Sequence, residues 1–233
     1  MKLNATSLPA RSDFVDATYR VLVDAITDGS LEPGERITQE EIAEQLGVSR
    51  SPVLQALRLL KKDGFIEDAP GRGVQVAQLD LRWVANLYQV RGALDALAAQ
   101  LAAESRYVID PAILARGREV SQGENLRAAI DADLVFHNAI YTASGNPLIE
   151  ESAQRYWMHL RRVMGAVHRV ARHRASLWDE HQAIADAIAQ GDAERAVMLS
   201  NLHIGRARTN LVSELEKLYP LTNTRPAKSP VAA

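Results

Sequence analysis

Residues 38–76 read TQEEIAEQLGVSRSPVLQALRLLKKDGFIEDAPGRGVQV, and the order of elements in this stretch decides the fold of the first third of the chain. Thr38 followed three residues later by Glu41 is a capping box, in which each side chain satisfies a backbone N–H of the other. Ile42, Ala43 and Leu46 then fall on one face of a short helix, and Gly47 supplies a turn. Ser49 or Ser51 caps the next helix, with Pro52 in its first turn, where a missing N–H costs nothing. Val53, Leu57 and Leu60 share the side that packs; Ser51, Leu54, Gln55, Arg58 and Lys62 share the other. Gly64 ends the helix. Residues 65–67 and 74–76 read as short strands around a tip of Gly71, Arg72 and Gly73. Helix, turn, helix and hairpin in this order are a winged helix-turn-helix, whose second helix fits the DNA major groove.

Working outward, residues 13–28 place Phe14, Ala17, Val21 and Ala25, with Leu22 and Ile26, at helical spacing, read as one buried stripe. Gly29 stops that helix, and Pro33 with Gly34 marks a turn. Residues 1–76 carry nine Lys/Arg and twelve Asp/Glu, so DNA affinity here rests on a local patch and not on bulk charge. Arg50, Arg58, Lys61, Lys62 and Arg72 form such a patch; a solvated face of mixed charge is the other reading. The DNA-contacting set is Ser49, Arg50, Ser51, Leu54, Gln55, Arg58, Gly71, Arg72 and Gly73.

With 233 residues, two domains are expected. Hydrophobic residues are 47% of the chain and aromatics only 5%, which favours packed helices over sheets. The absence of cysteine excludes disulfides and cysteine-based zinc sites and fits a reducing cytoplasm. No apolar run approaches the ~20 residues of a membrane helix, and residues 1–11 do not read as a leader. The expectation is a cytoplasmic protein without membrane contact.

Beyond a short linker at 77–81, helical period dominates. Segments 81–105, 111–121, 124–144, 148–171, 176–190 and 192–218 give an all-α bundle of six (or seven) helices over 82–218. Residues 219–233, rich in Pro, Ser and Ala, read as a disordered tail. The fold class is mostly α: an N-terminal winged helix-turn-helix, then the helical bundle. Asp133 and His137 are four apart and share a helix face with Ile130 and Ile140. His181 lies with Ile184 and Ile188, and His203 with Leu199 and Ala207. One carboxylate and three imidazoles facing a core suit a divalent metal: zinc first, or nickel, manganese or iron. The residues alone also allow hydrogen-bonded core histidines and an i,i+4 Asp133–His137 pair.

The N-terminal stretch resembles the DNA-binding domain of the GntR family of bacterial transcription regulators. The resemblance rests on Ala25-Ile26, Gly29, Pro33-Gly34, Glu41-Ile42-Ala43, Leu46 to Arg50, Pro52-Val53, Ala56-Leu57, Leu60, Gly64-Phe65 and Gly71 to Gly73. The family has Arg then Glu after the Pro-Val pair, where this chain has Leu54 and Gln55, and a further arginine where it has Glu40. A bidentate Arg–guanine contact discriminates by about 1–3 kcal/mol, so a divergent operator is implied. Asp133, His137, Ser144-Gly145-Asn146, Glu180-His181, Gly191-Asp192, Ala196 and His203 resemble the ligand domain of the FadR subfamily (the FCD type). Six helices rather than seven point to its VanR-like branch. The resemblance implies Asp133, His137, His181 and His203 as metal ligands and Arg91 as the residue that holds a small carboxylate effector; a buried Arg91 that simply pairs with Asp95 is the other reading. It also implies operator DNA as partner and a homodimer, hence a transcription regulator, a repressor by expectation, and not an enzyme. A metal-dependent enzyme and a metal-free interaction module are the alternatives.

Overall fold

The computed structural model describes residues 12–123, 125–168 and 175–218. The chain divides into two compact units, with the break between Gln78 and Leu79. The first holds α1 (Ser12–Asp28), β1 (Arg36–Ile37), α2 (Gln39–Leu46), α3 (Arg50–Lys62), β2 (Ile66–Asp68) and β3 (Val74–Val76). Thr38 and Glu41 form the reciprocal capping box at the start of α2. Gly47, at φ +63°, turns the chain in the left-handed region where a side chain would be strained. Val53, Ala56 and Leu60 on α3 are fully buried, with Phe65, Ile66 and Val76 beneath them. The three strands form an antiparallel sheet in the order β1-β3-β2, with Arg36 opposite Gln75 and Glu67 opposite Gln75 on the other side.

Three details differ from the sequence reading. The buried stripe of α1 runs through Val15, Thr18, Leu22, Val23 and Ile26, while Phe14 is 61% and Val21 47% exposed and Ala17 also faces out. Apolar residues on two sides of α1 allow two phases, and polar Thr18 concealed the one that packs. β2 begins at Ile66 and not at Phe65, because the Phe65 N–H donates to Leu60 O at 2.9 Å and closes the end of α3. β1 was not foreseen; two residues after a turn carry no alternation to read.

The second unit holds α4 (Leu81–Glu104), α5 (Pro111–Ser121), α6 (Leu126–Ala143), α7 (Pro147–His168), α8 (Ala175–Gln190) and α9 (Ala193–Leu218). These are six helices among the described residues. Side chains of Asp80, Asp110 and Asn125 accept from the first free N–H groups of α4, α5 and α6. Val84, Leu87, Tyr88, Arg91, Asp95 and Ala98 line the buried face of α4, and Leu94 is partly covered. α9 packs along α4, where Gly92 allows close approach: a Cβ there would lie 3.2 Å from Ile204. The expected tail at 219–233, the helix ends at 124 and 169–171, and Arg169, Arg172, His173 and Arg174 lie outside the described residues. No helix of the described residues is long and apolar enough to cross a membrane.

Gly117 on α5 gives the core its clearest packing test. A Cβ at this buried position would sit 2.0 Å from the ring of Trp178, which is 2% exposed. Helix propensity alone favours alanine by about 1 kcal/mol, whereas overpacking costs about 1–3 kcal/mol. Gly117→Ala is therefore expected to lower the urea midpoint, and a raised midpoint would mean that Trp178 has room to move.

Candidate metal centre and nucleic-acid interface

In the first unit, α3 presents Ser51, Leu54, Gln55 and Arg58 to solvent, with Val53, Ala56, Leu57 and Leu60 on the opposite, buried side. Ser49 is the residue at the N-cap, and its exposed side chain makes no capping hydrogen bond. Arg50 is ion-paired to Glu40 at 3.1 Å, and the Gln39 amide donates to Arg50 O at 2.6 Å. Lys61 is held by Asp68 at 2.6 Å. Arg58, Lys62 and Arg72 make no ion pair among the described residues, so the available positive charge of the patch is narrower than its sequence. The tip turns on Gly71 at φ +91° and Gly73 at φ +96°, and the Arg36 guanidinium donates to the Arg72 carbonyl, tying the tip to β1.

In the second unit, Asp133, His137, His181 and His203 converge. One ligand atom from each lies within 4.8 Å of the others, and all four residues are buried. α6 supplies Asp133 and His137 one turn apart, α8 supplies His181 and α9 His203. His181 Nε2 faces His203 Nε2 at 3.3 Å and Asp133 Oδ1 at 3.5 Å; His137 Nε2 is 3.8 Å from the same oxygen. His137 Nε2 has no hydrogen-bond partner. Three nitrogens and a carboxylate oxygen crowded this way, with one nitrogen unpartnered, are a donor set that fits a divalent ion. The far side of two rings is also built: His203 Nδ1 is 2.8 Å from Glu180 Oε2, and His137 Nδ1 is 3.5 Å from Asp95 Oδ2. In both rings Nδ1 is the nitrogen that a carboxylate outside the cluster approaches, and Nε2 is the one turned toward the other ligand atoms. His181 is wedged between Phe136, stacked at 4.1 Å, and the edge of Trp178 at 4.6 Å.

Arg91 is buried beside this cluster. Its Nε donates to Asp95 Oδ2 at 3.3 Å, its Nη2 lies 3.8 Å from Asp133 Oδ2, and its guanidinium sits 4.8 Å from the Trp157 ring centroid. Nη2 itself makes no hydrogen bond. Burial opposes the charge of Arg91, but Asp95 and its neighbours outweigh burial and hold it more firmly protonated than usual. Burial raises the Asp95 carboxyl, against the pull of Arg91 and the hydroxyl donated by Tyr141. Glu180 is held below the usual carboxylate range by its bond with His203, and Arg206 adds to that effect. Elsewhere, Arg161 on α7 pairs with Asp131 at 2.6 Å, Arg162 is buried, and His159 packs on Trp83 with ring centroids 4.8 Å apart. Sequence reasoning missed Glu180, Tyr141 and Trp157 as neighbours of the cluster. Glu180 adjoins His181 in the chain, but nothing in the sequence pairs α8 with α9.

Residues 14–76 match the model of the bacterial regulatory proteins of the gntR family, and residues 86–206 match the FCD domain. The chain belongs to the GntR family. Joined to an FCD domain, its DNA-binding domain makes it a transcriptional regulator of the FadR type. Over 191 residues it is 30% identical to the probable D-xylose utilization operon transcriptional repressor of Paenarthrobacter nicotinovorans, covering 78% of this chain and 82% of the relative. LutR of Bacillus subtilis is 28% identical over 205 residues, 76% of this chain and 92% of that regulator. The structure of McbR from Escherichia coli superposes with a TM-score of 0.73 at 20% identity, covering 87% of this chain and 98% of McbR, which shows a shared fold.

The buried histidines of this GntR-family chain set a pH dependence. Burial holds His137 and His181 well below the ordinary imidazole value, with nearby positive groups adding to it. The unfolded chain then binds more protons than the folded one below an ordinary imidazole pKa of about 6.5, so stability rises with pH. The contribution is complete above that value and is lost as pH falls below it. Metal-free protein is expected to lose melting temperature between about pH 7.5 and about pH 5.5, with a shallower loss in His181→Gln. A flat profile would show that the imidazoles are solvated.

Proposed function

We propose that this GntR-family regulator is a cytoplasmic, homodimeric repressor whose operator affinity is set by a small organic acid captured at a divalent metal. The observation that carries the reading is the convergence of Asp133, His137, His181 and His203, with ligand atoms within 4.8 Å of one another inside the bundle. Zinc suits the three nitrogens and one oxygen best; nickel, manganese and iron suit them next. An ion held by these four residues would take an oxygen ligand only by expanding beyond four-coordination, to five for zinc or six for nickel, manganese or iron, with no bond broken. Formal charge favours an anion. Arg91 contributes +1 and Asp95 and Asp133 −1 each, so the buried set carries −1 by itself and +1 with a divalent ion. A monocarboxylate brings it to zero. Arg91 Nη2, buried without a hydrogen-bond partner, is the donor left to receive it.

On the DNA side, two copies of α3 would read half-sites about 34–36 Å apart, or a multiple of that. Ser49 stands at the N-cap of α3, Arg50, Ser51, Leu54, Gln55 and Arg58 lie along it, and Gly71, Arg72 and Gly73 lie at the wing. Gln55 suits adenine and Leu54 a thymine methyl. The effector changes occupancy only by binding one arrangement of the dimer better than the other.

Capture of fragmented host genomic DNA by the purified protein, followed by sequencing, tests the regulator. A few sites sharing a short palindrome are expected, and uniform recovery would refute sequence-specific reading. Arg58→Ala is expected to weaken operator binding by about 5- to 150-fold, the loss of a contact worth about 1–3 kcal/mol. Arg50→Ala should cost less, because Glu40 already neutralises Arg50; the reverse order would place Arg50 at the base edges. His137→Ala and His203→Ala are expected to lose bound metal and metal-dependent thermal stability together, since an ion that binds only the folded state stabilises it. Full metal occupancy in both variants would remove the site.

A further inference from the structure

His203 differs from the other two imidazoles in how its outer nitrogen is held. Glu180 Oε2 meets His203 Nδ1 at 2.8 Å, and Arg206 Nη1 donates to Glu180 Oε1 at 2.8 Å. The relay starts on α9 at Arg206, crosses to Glu180 on α8, and returns to α9 at His203. By contrast, Asp95 stands 3.5 Å from His137 Nδ1, and His181 Nδ1 has no hydrogen-bond partner. Arg206 is 54% exposed, and an ion pair so open to water contributes little stability by itself. Its geometric consequence is larger: it fixes the Glu180 carboxylate so that only one oxygen faces His203.

We infer that Glu180, braced by Arg206, is a positioning residue that locks His203 in the Nδ1–H tautomer and aims its Nε2 at the metal. The inference rests on the metal reading above. An imidazole with its proton on Nδ1 has its lone pair on Nε2, the atom that faces His181 and the rest of the cluster. Without the carboxylate the proton is free to occupy either nitrogen, and the ring is free to turn. Both effects lower affinity. Glu180 also lines a groove of about 330 Å³ between α8 and α9, with Ala183, Leu199 and Leu202 on its walls. Its truncation therefore opens into that groove and leaves no sealed void in the core.

The test uses full-length protein stripped of metal and titrated with zinc against a chelating competitor. Glu180→Ala is expected to weaken zinc binding about 10–100-fold. Glu180→Gln keeps an acceptor for Nδ1–H and is expected to lose less. Long-range proton–nitrogen NMR of the metal-free proteins reads the tautomer directly: Nδ1–H at His203 in the wild type, a mixture in Glu180→Ala. That shift separates positioning from a general loss of fold, which the melting temperature of the same metal-free samples monitors. Wild-type zinc affinity and an unchanged His203 tautomer in both variants would overturn the inference and leave the metal site standing. A wild-type protein that takes up no zinc, nickel or manganese would overturn the metal reading itself, and this inference with it.

Discussion

Charge buried where water cannot reach it must be matched inside the protein, and the second unit is arranged around that requirement. Arg91, Asp95, Asp133, His137, His181 and His203 are each at most 4% exposed. Removing one partner of a buried ion pair costs about 3–5 kcal/mol, a large share of the stability of a domain of this size. The match is made across helices. α4 brings Arg91 and Asp95, α6 brings Asp133, His137 and the Tyr141 hydroxyl, α7 places Trp157 beneath the guanidinium, and α8 and α9 close the set. Apolar residues surround the cluster, but the register of each helix against the next is fixed by polar groups that have few acceptable positions.

Much of this was legible in the sequence, and the parts that were not share a cause. The ligand residues showed because Asp133 and His137 are one turn apart beside Ile130 and Ile140, and because His181 and His203 lie on apolar faces. Periodicity reports which side of a helix is buried; it does not report which other helix lies there. Hence Glu180 and Tyr141 stayed hidden until α8 met α9 and α4 met α6. α1 illustrates the same limit within one helix. Its apolar residues fit two stripes, and the choice between them was made by α3, which packs against it. The capping box at Thr38 and the left-handed turn at Gly47 were plain because both are local, decided within a few residues of chain.

The two units differ in how their charge is arranged. In the second, Arg91 pairs with Asp95 and Asp133 out of reach of water, although pairs such as Arg116–Glu119 and Arg118–Asp179 remain exposed. In the first, Arg50–Glu40 and Lys61–Asp68 are exposed pairs whose own stabilising effect is small. Their effect is on the field that a polyanion meets. With two of the basic residues neutralised locally, Arg58 and Lys62 on α3 and Arg72 at the tip of the wing are the members of the patch left without an ion pair among the described residues. In a chain with a net charge of −2, any attraction to a polyanion would have to come from such local charge and not from a basic surface overall.

The pairing of Arg50 with Glu40 has one more consequence. Glu40 sits against the Arg50 guanidinium as a tethered counterion carried by the protein. If Arg50 is a DNA contact, as proposed above, a phosphate would have to replace Glu40 on the same guanidinium. Condensed cations still leave the duplex, but the new contact is formed against a competitor that dilution does not remove. The affinity of such a contact would be buffered: weaker at low ionic strength than for a bare arginine, with less of it lost as salt rises and screens the Arg50–Glu40 pair as well.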